Sequence, residues 1–179
     1  MTFELSQSRI SLEKPQAQAL FDALQGVYSN GAVILCCLKS SEISGLMNNS
    51  QLCLHELVIS QFLKSQTVQQ AVPELKIDNE LILPALHPLN SYELEGSLVQ
   101  ILINGGAYNK WQSSEDEARS LARNFLDLVA AEKYRSRVSG IRFYSAWTDW
   151  FYDVAWDSTF VIFNAATQKW WLLCTTDTD

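Results

Sequence analysis

The sequence predicts an α+β fold in which a C-terminal three-stranded antiparallel β-meander packs on an amphipathic helix. Three observations carry this. Ala118, Leu121, Ala122, Phe125, Leu128 and Val129 hold the spacing of a single helix face. Beyond Gly140 the apolar period changes from helical to two. The same stretch is rich in β-branched and aromatic residues, which suit a pleated, half-buried surface.

Taken in order, Phe3, Leu5, Ile10 and Leu12 alternate as one or two short strands would. Pro15 stands at a first helical position, where its missing N–H costs nothing. Ala17, Leu20, Phe21, Leu24 and Val27 then stripe a helix that Gly26 and Ser29-Asn30-Gly31 close. The short apolar run 32–38 reads as a buried strand. Leu54, Leu57, Val58, Gln61 and Phe62 stripe a helix capped at Asn49-Ser50, which length favours over a strand alternating at Leu52, Leu54, Glu56 and Val58, and a second helical piece over 67–72 stops at Pro73. Residues 80–83 read as a strand that breaks into a turn between Pro84 and Pro88. Leu94, Leu98, Ile101 and Leu102 share a helical face, ended by a left-handed cap at Gly105-Gly106.

The long helix opens on a capping-box pattern, Ser114 with Glu117, in which each side chain serves the other's backbone N–H. Acids at 115–117 and bases at 133–137 match its dipole, which places its end near 133. Strands over 141–147, 154–163 and 170–175 follow, the last two joined by a hairpin loop at 164–168. The tail from Thr175 to Asp179 reads as a strand end fraying into solvent. At 179 residues, with no linker or internal repeat, the chain is expected to form one domain, the meander adjoined by N-terminal helices and one or two further strands.

Composition limits the function classes. A net charge of −7 argues against nucleic-acid binding, which rests on Lys and Arg neutralising phosphates. The basic cluster Lys133, Arg135, Arg137 and Arg142 is accounted for by the helix end. Acidity instead permits a basic protein partner. The apolar runs are too short for a membrane span. The four cysteines have no framework spacing, and no basic and apolar leader opens the chain. These features lead one to expect a soluble, cytoplasmic protein.

All six Trp lie at or beyond position 111. Adjacent Trp170 and Trp171 must take opposite faces of an extended strand, and only one face can pack on the long helix. The other face is then covered by the N-terminal helices, or it forms an aromatic groove for a partner. The segment 147–157 gathers the candidate binding residues Trp147, Asp149, Trp150, Asp153, Trp156 and Asp157. Its aspartates recur every four residues among aromatics, so in extended chain they share a face, and carboxyls in apolar surroundings become acids of raised pKa. Converging oxygens also suit Mg²⁺ or Ca²⁺, although no recognisable ligand loop accompanies them. Structural roles compete: Asp149 for a turn, Asp153 for the start of a strand, Asp157 for pairing with Arg142.

Weaker candidates are Cys36, Cys37, Cys53 and His55, which supply zinc-ligand atoms without zinc spacing. His87 lies in a Pro-flanked turn, and Gly105-Gly106 lacks the Lys-Ser/Thr of a phosphate loop. With no reaction motif and no implied cofactor, the expected function is a non-catalytic binding or interaction protein with an acidic surface. The alternative is a small enzyme or divalent-metal-binding domain using the aspartates of 149–157.

Overall fold

A computed structural model describes residues 9–10, 14–39, 56–131 and 135–178. Among them are β1 (Arg9–Ile10), α1 (Pro15–Val27), β2 (Ala32–Leu38), α2 (Glu56–Lys64), α3 (Gln66–Ala71) and β3 (His87–Asn90). Then come α4 (Ser91–Asn104), α5 (Glu115–Val129), β4 (Val138–Phe143), β5 (Ser158–Asn164) and β6 (Lys169–Thr176). The strands form one sheet in the order β1-β2-β6-β5-β4-β3. The β4-β5-β6 meander is antiparallel, as are its flanking pairs with β2 and β3, and β1 adds a parallel edge to β2. Phe3, Leu5, Leu12 and the Asn49-Ser50 cap lie outside the described residues.

The side-chain alternation of the strands divides the core in two. On one face Val33, Leu35, Phe160, Ile162, Trp171 and Leu173 meet α1, α4 and α5. Phe125 of α5 sets its ring edge-on to Trp171 at 5.3 Å. On the other face Ile34, Ile141, Phe143, Val161, Phe163 and Trp170 meet α2, α3 and the chain between β4 and β5. There Phe62 of α2 stacks on Trp170 at 4.4 Å. The two adjacent tryptophans thus take opposite faces, and each is 2% exposed because this chain's own helices cover it. An open aromatic groove on the sheet is therefore overturned. Burying a side chain as large as Trp170 contributes on the order of 3 kcal/mol.

Other departures from the sequence reading have local causes. Residues 80–83 form no strand, and β3 instead runs through Pro88. Proline is tolerated there because, among the described residues, β3 is an edge strand paired with β4 alone. Asn90 then caps α4, accepting from the backbone N–H of Tyr92 and Glu93, while the Glu93 carboxylate accepts from Asn90 N–H at 2.8 Å. At the far end Gly105 takes a positive φ of 62°, though not the helical ψ of a left-handed cap.

Helix α5 stops at Val129, short of 133, and Ala131 has a positive φ of 50°. Ser114 caps it through the Glu117 N–H, but Glu117 turns its own carboxylate to the Ser113 hydroxyl. Lys133 lies outside the described residues. Arg135 pairs with Glu95 at 2.7 Å and Asp127 at 2.8 Å, pinning α4 to α5.

Gly140 lies inside β4 rather than before it. A Cβ there would stand 2.7 Å from Leu94 Cδ2, so glycine lets α4 cross close to the sheet. The C-terminal tail does not fray either: Thr175, Thr176 and Asp177 are fully buried. Asp177 accepts from Asn30 N–H at 3.0 Å and Ala107 N–H at 2.8 Å, which holds two loops to the sheet's end.

Candidate functional site

The candidate residues 147–157 fall between β4 and β5, not within them: β4 ends at Phe143 and β5 begins at Ser158. The chain leaves the sheet after Phe143 and folds back over the α2–α3 side. Trp147 is anchored there by its indole N–H, which donates to Thr159 Oγ1 at 2.8 Å, and by an edge contact with Phe143. Trp150 and Phe151 pack edge to face at 4.9 Å. A turn closes with Phe151 N–H on Thr148 O, and a second with Asp157 N–H on Val154 O. Asp153, at a positive φ of 56°, sits before that second turn, in a conformation that Asp tolerates better than most residues.

Because this chain is turned rather than extended, the three aspartates do not share a face. Asp149 and Asp153 are exposed, whereas Asp157 points inward at 1% exposure. Asp157 Oδ2 accepts from Val154 N–H at 3.0 Å and Oδ1 from Thr176 Oγ1–H at 2.6 Å. Burial pushes its carboxyl above the ordinary range, with those hydrogen bonds pulling the other way. It does not pair with Arg142. That guanidinium donates from Nε to Ser158 Oγ at 2.9 Å and from Nη1 to Gln100 Oε1 at 3.1 Å.

The six candidates are thereby split among three places. Trp147, Asp149 and Asp153 line an open cleft of about 590 Å³, with Lys76, Asp78, Glu80 and Ile82 on its opposite wall. Trp156 and Asp157 line a smaller hollow of about 280 Å³, beside Tyr28, Gln100, Arg142 and Tyr144. Trp150, 5% exposed, belongs to the core.

The cleft is acidic and partly apolar. Four carboxylates line it against one lysine. Its floor holds Trp147 and Phe151, and its rim carries Ile82 at 87% exposure. Among the described residues no group of three or more His, Cys, Asp or Glu is placed to hold a metal ion. Cys53 and His55 lie outside the described residues. Cys37 and Cys174 have thiols pushed up by burial, which disfavours the nucleophilic thiolate.

Arg142 was not legible as a site residue, since sequence placed it with the basic cluster or opposite Asp157. The available signal was a charge in a period-two strand between two apolar neighbours, Ile141 and Phe143. Tyr28 was missed as well. Burial pushes its phenol up to about 12, so it stays a neutral hydrogen-bonding group.

Comparison with known proteins found no matching family model, no matching curated protein and no matching solved structure. The class established is thus an architectural one: an α+β protein whose described residues form a six-stranded sheet between two helical layers.

Proposed function

We propose that this chain is a non-catalytic interaction protein that receives a basic protein segment in the acidic cleft. One observation carries the reading: Asp78, Glu80, Asp149 and Asp153 converge on a cleft with an aromatic floor and an exposed Ile82. Carboxylates of one sign around a concave surface raise the local concentration of cations and steer their approach. Trp147 and Phe151 supply apolar surface for the methylene stems of Lys or Arg, whose charged heads reach the rim. Nucleic acid is disfavoured by the same charge. No helix among the described residues is long and apolar enough to cross a membrane. Cys36, Cys37 and Cys174 carry thiols, in keeping with a cytoplasmic setting.

The rival reading, a small enzyme or divalent-metal-binding domain using the aspartates of 149–157, draws its support from Asp157, a buried carboxyl of raised pKa. Both of its oxygens, however, already accept hydrogen bonds from the fold.

Calorimetric titration with a Lys/Arg-rich peptide at low salt separates the two. Binding should weaken with added salt, and Asp149→Asn with Asp153→Asn should lower affinity about two- to thirtyfold, the usual worth of two rim charges. Equal binding of an acidic peptide, or no loss in the double variant, would sink the proposal. A thermal shift with Mg²⁺ or Ca²⁺ that Asp157→Asn loses and the Asp149→Asn, Asp153→Asn variant keeps would favour the rival.

A further inference from the structure

The hollow on the other side of the sheet holds a charge that the described chain does not neutralise. Arg142 is 6% exposed. The ion pairs among the described residues involve Arg119, Arg123 and Arg135, and none involves Arg142. Its hydrogen-bond partners Ser158 and Gln100 are neutral. A desolvated guanidinium without a counter-charge is costly, and an anion delivered to it offsets that cost through charge-assisted hydrogen bonds.

The geometry around it selects the partner. The guanidinium carbon lies 4.2 Å from the centre of the Tyr144 ring and 4.9 Å from that of Phe160. Such ring contacts use the π-faces of the cation and leave its edge for acceptors. An arginine has five N–H donors, so Ser158, Gln100 and the Tyr144 phenol together do not exhaust it. A planar acceptor meeting that edge is the arrangement arginine recognises best. The hollow beside it, about 280 Å³, is lined by Tyr28, Ile101, Asn104 and Trp156 as well. That volume is at the small end of the ~300–1,000 Å³ typical of ligand pockets.

We propose that this hollow binds a small organic monocarboxylate, its carboxylate on Arg142 and its apolar body against Trp156 and Ile101. One guanidinium balances one negative charge. A phosphate dianion would call for a second cation, and the lining has none. Asp157, the lining's one acid, has both oxygens engaged by Val154 N–H and Thr176 Oγ1–H and makes no ion pair with Arg142 among the described residues. The site is separate from the acidic cleft and does not rest on the proposal made for it.

The test is calorimetric and NMR titration of the full chain with benzoate, acetate and inorganic phosphate at constant ionic strength. Benzoate should bind saturably and more tightly than acetate. Arg142→Met, which keeps the stem, should weaken benzoate ~10- to 100-fold, the loss expected for a charge-assisted pair. Should Arg142→Met fail to fold, Asn104→Trp decides: Asn104 is an exposed lining residue, and the larger ring should block the hollow while leaving Arg142 intact. The idea is overturned by no saturable response to either carboxylate, by a response to phosphate alone, or by equal benzoate binding in the variants that fold.

Discussion

Asp177 gives the sharpest energetic consequence of the fold. The sequence places it in a fraying tail, whereas the structure buries it completely and gives both carboxylate oxygens a backbone donor. One donor, Asn30 N–H, belongs to the turn between α1 and β2; the other, Ala107 N–H, to the loop after α4. Asp177→Ala removes two charge-assisted bonds, each worth ~1.5–3 kcal/mol, or ~3–6 kcal/mol in sum. Both donors are only part-buried, so water recovers some of this, and about 2–4 kcal/mol is the expected loss. Asp177→Asn keeps one acceptor oxygen and turns an N–H₂ toward the second donor, so it should lose about half as much. Urea denaturation with an unchanged m-value measures the difference directly. If Asp177→Ala stays within about 0.5 kcal/mol of the parent, as a surface change usually does, the buried-latch reasoning is wrong.

Three further outcomes follow from the same structure. Trp170→Ala removes the ring stacked on Phe62 and should destabilise by ~3–5 kcal/mol in the same denaturation assay; a loss below about 1 kcal/mol would mean an open face. Gly140→Ala brings a Cβ against Leu94 at 2.7 Å and should cost about 1–3 kcal/mol, which shortening the neighbour in the double variant with Leu94→Ala should partly relieve. Asp157 has a folded-state pKa raised by burial from its ordinary 3.8, so folding gains from its protonation. That gain is complete below the ordinary value and is lost as pH rises through the folded one. The stability difference between the parent and Asp157→Asn should therefore fall with rising pH, by up to ~1.4 kcal/mol per pH unit within that window. A difference that grows with pH there would contradict the burial assignment.

The elements that sequence made legible are those whose signal is local. The stripe from Ala118 to Val129, its Ser114 cap, the run 32–38 and the alternation of Phe160 to Phe163 each state their own period. What failed depended on distant residues. Pro88 looks like a strand breaker until its edge position is known. Gly140 looks like a boundary until Leu94 is placed over it. Arg135 looks like a dipole partner until Glu95, forty positions earlier, comes alongside.

The candidate residues show the same limit. A four-residue recurrence of Asp149, Asp153 and Asp157 implies one face only if the backbone is extended, and the left-handed Asp153 breaks that. Half of the acidic cleft comes from residues 76–82, whose apposition to 147–153 has no sequence signature. Arg142 was hidden because nothing local distinguishes a buried guanidinium from a surface one.

The central claim is that this chain covers both faces of its own aromatic sheet, so the proposed binding sites are the cleft and, across the sheet, the hollow at Arg142. Hydroxyl-radical footprinting read residue by residue tests this most directly. Trp111 and Trp156, half-buried, should be modified readily, as should Tyr92 and Tyr108 at 77% and 63% exposure. Trp147, Trp150, Trp170 and Trp171, all at or below 8% exposure, should be protected in the protein alone. Modification of Trp170 or Trp171 at a rate like that of Tyr92 would show a sheet face open to solvent and contradict the account.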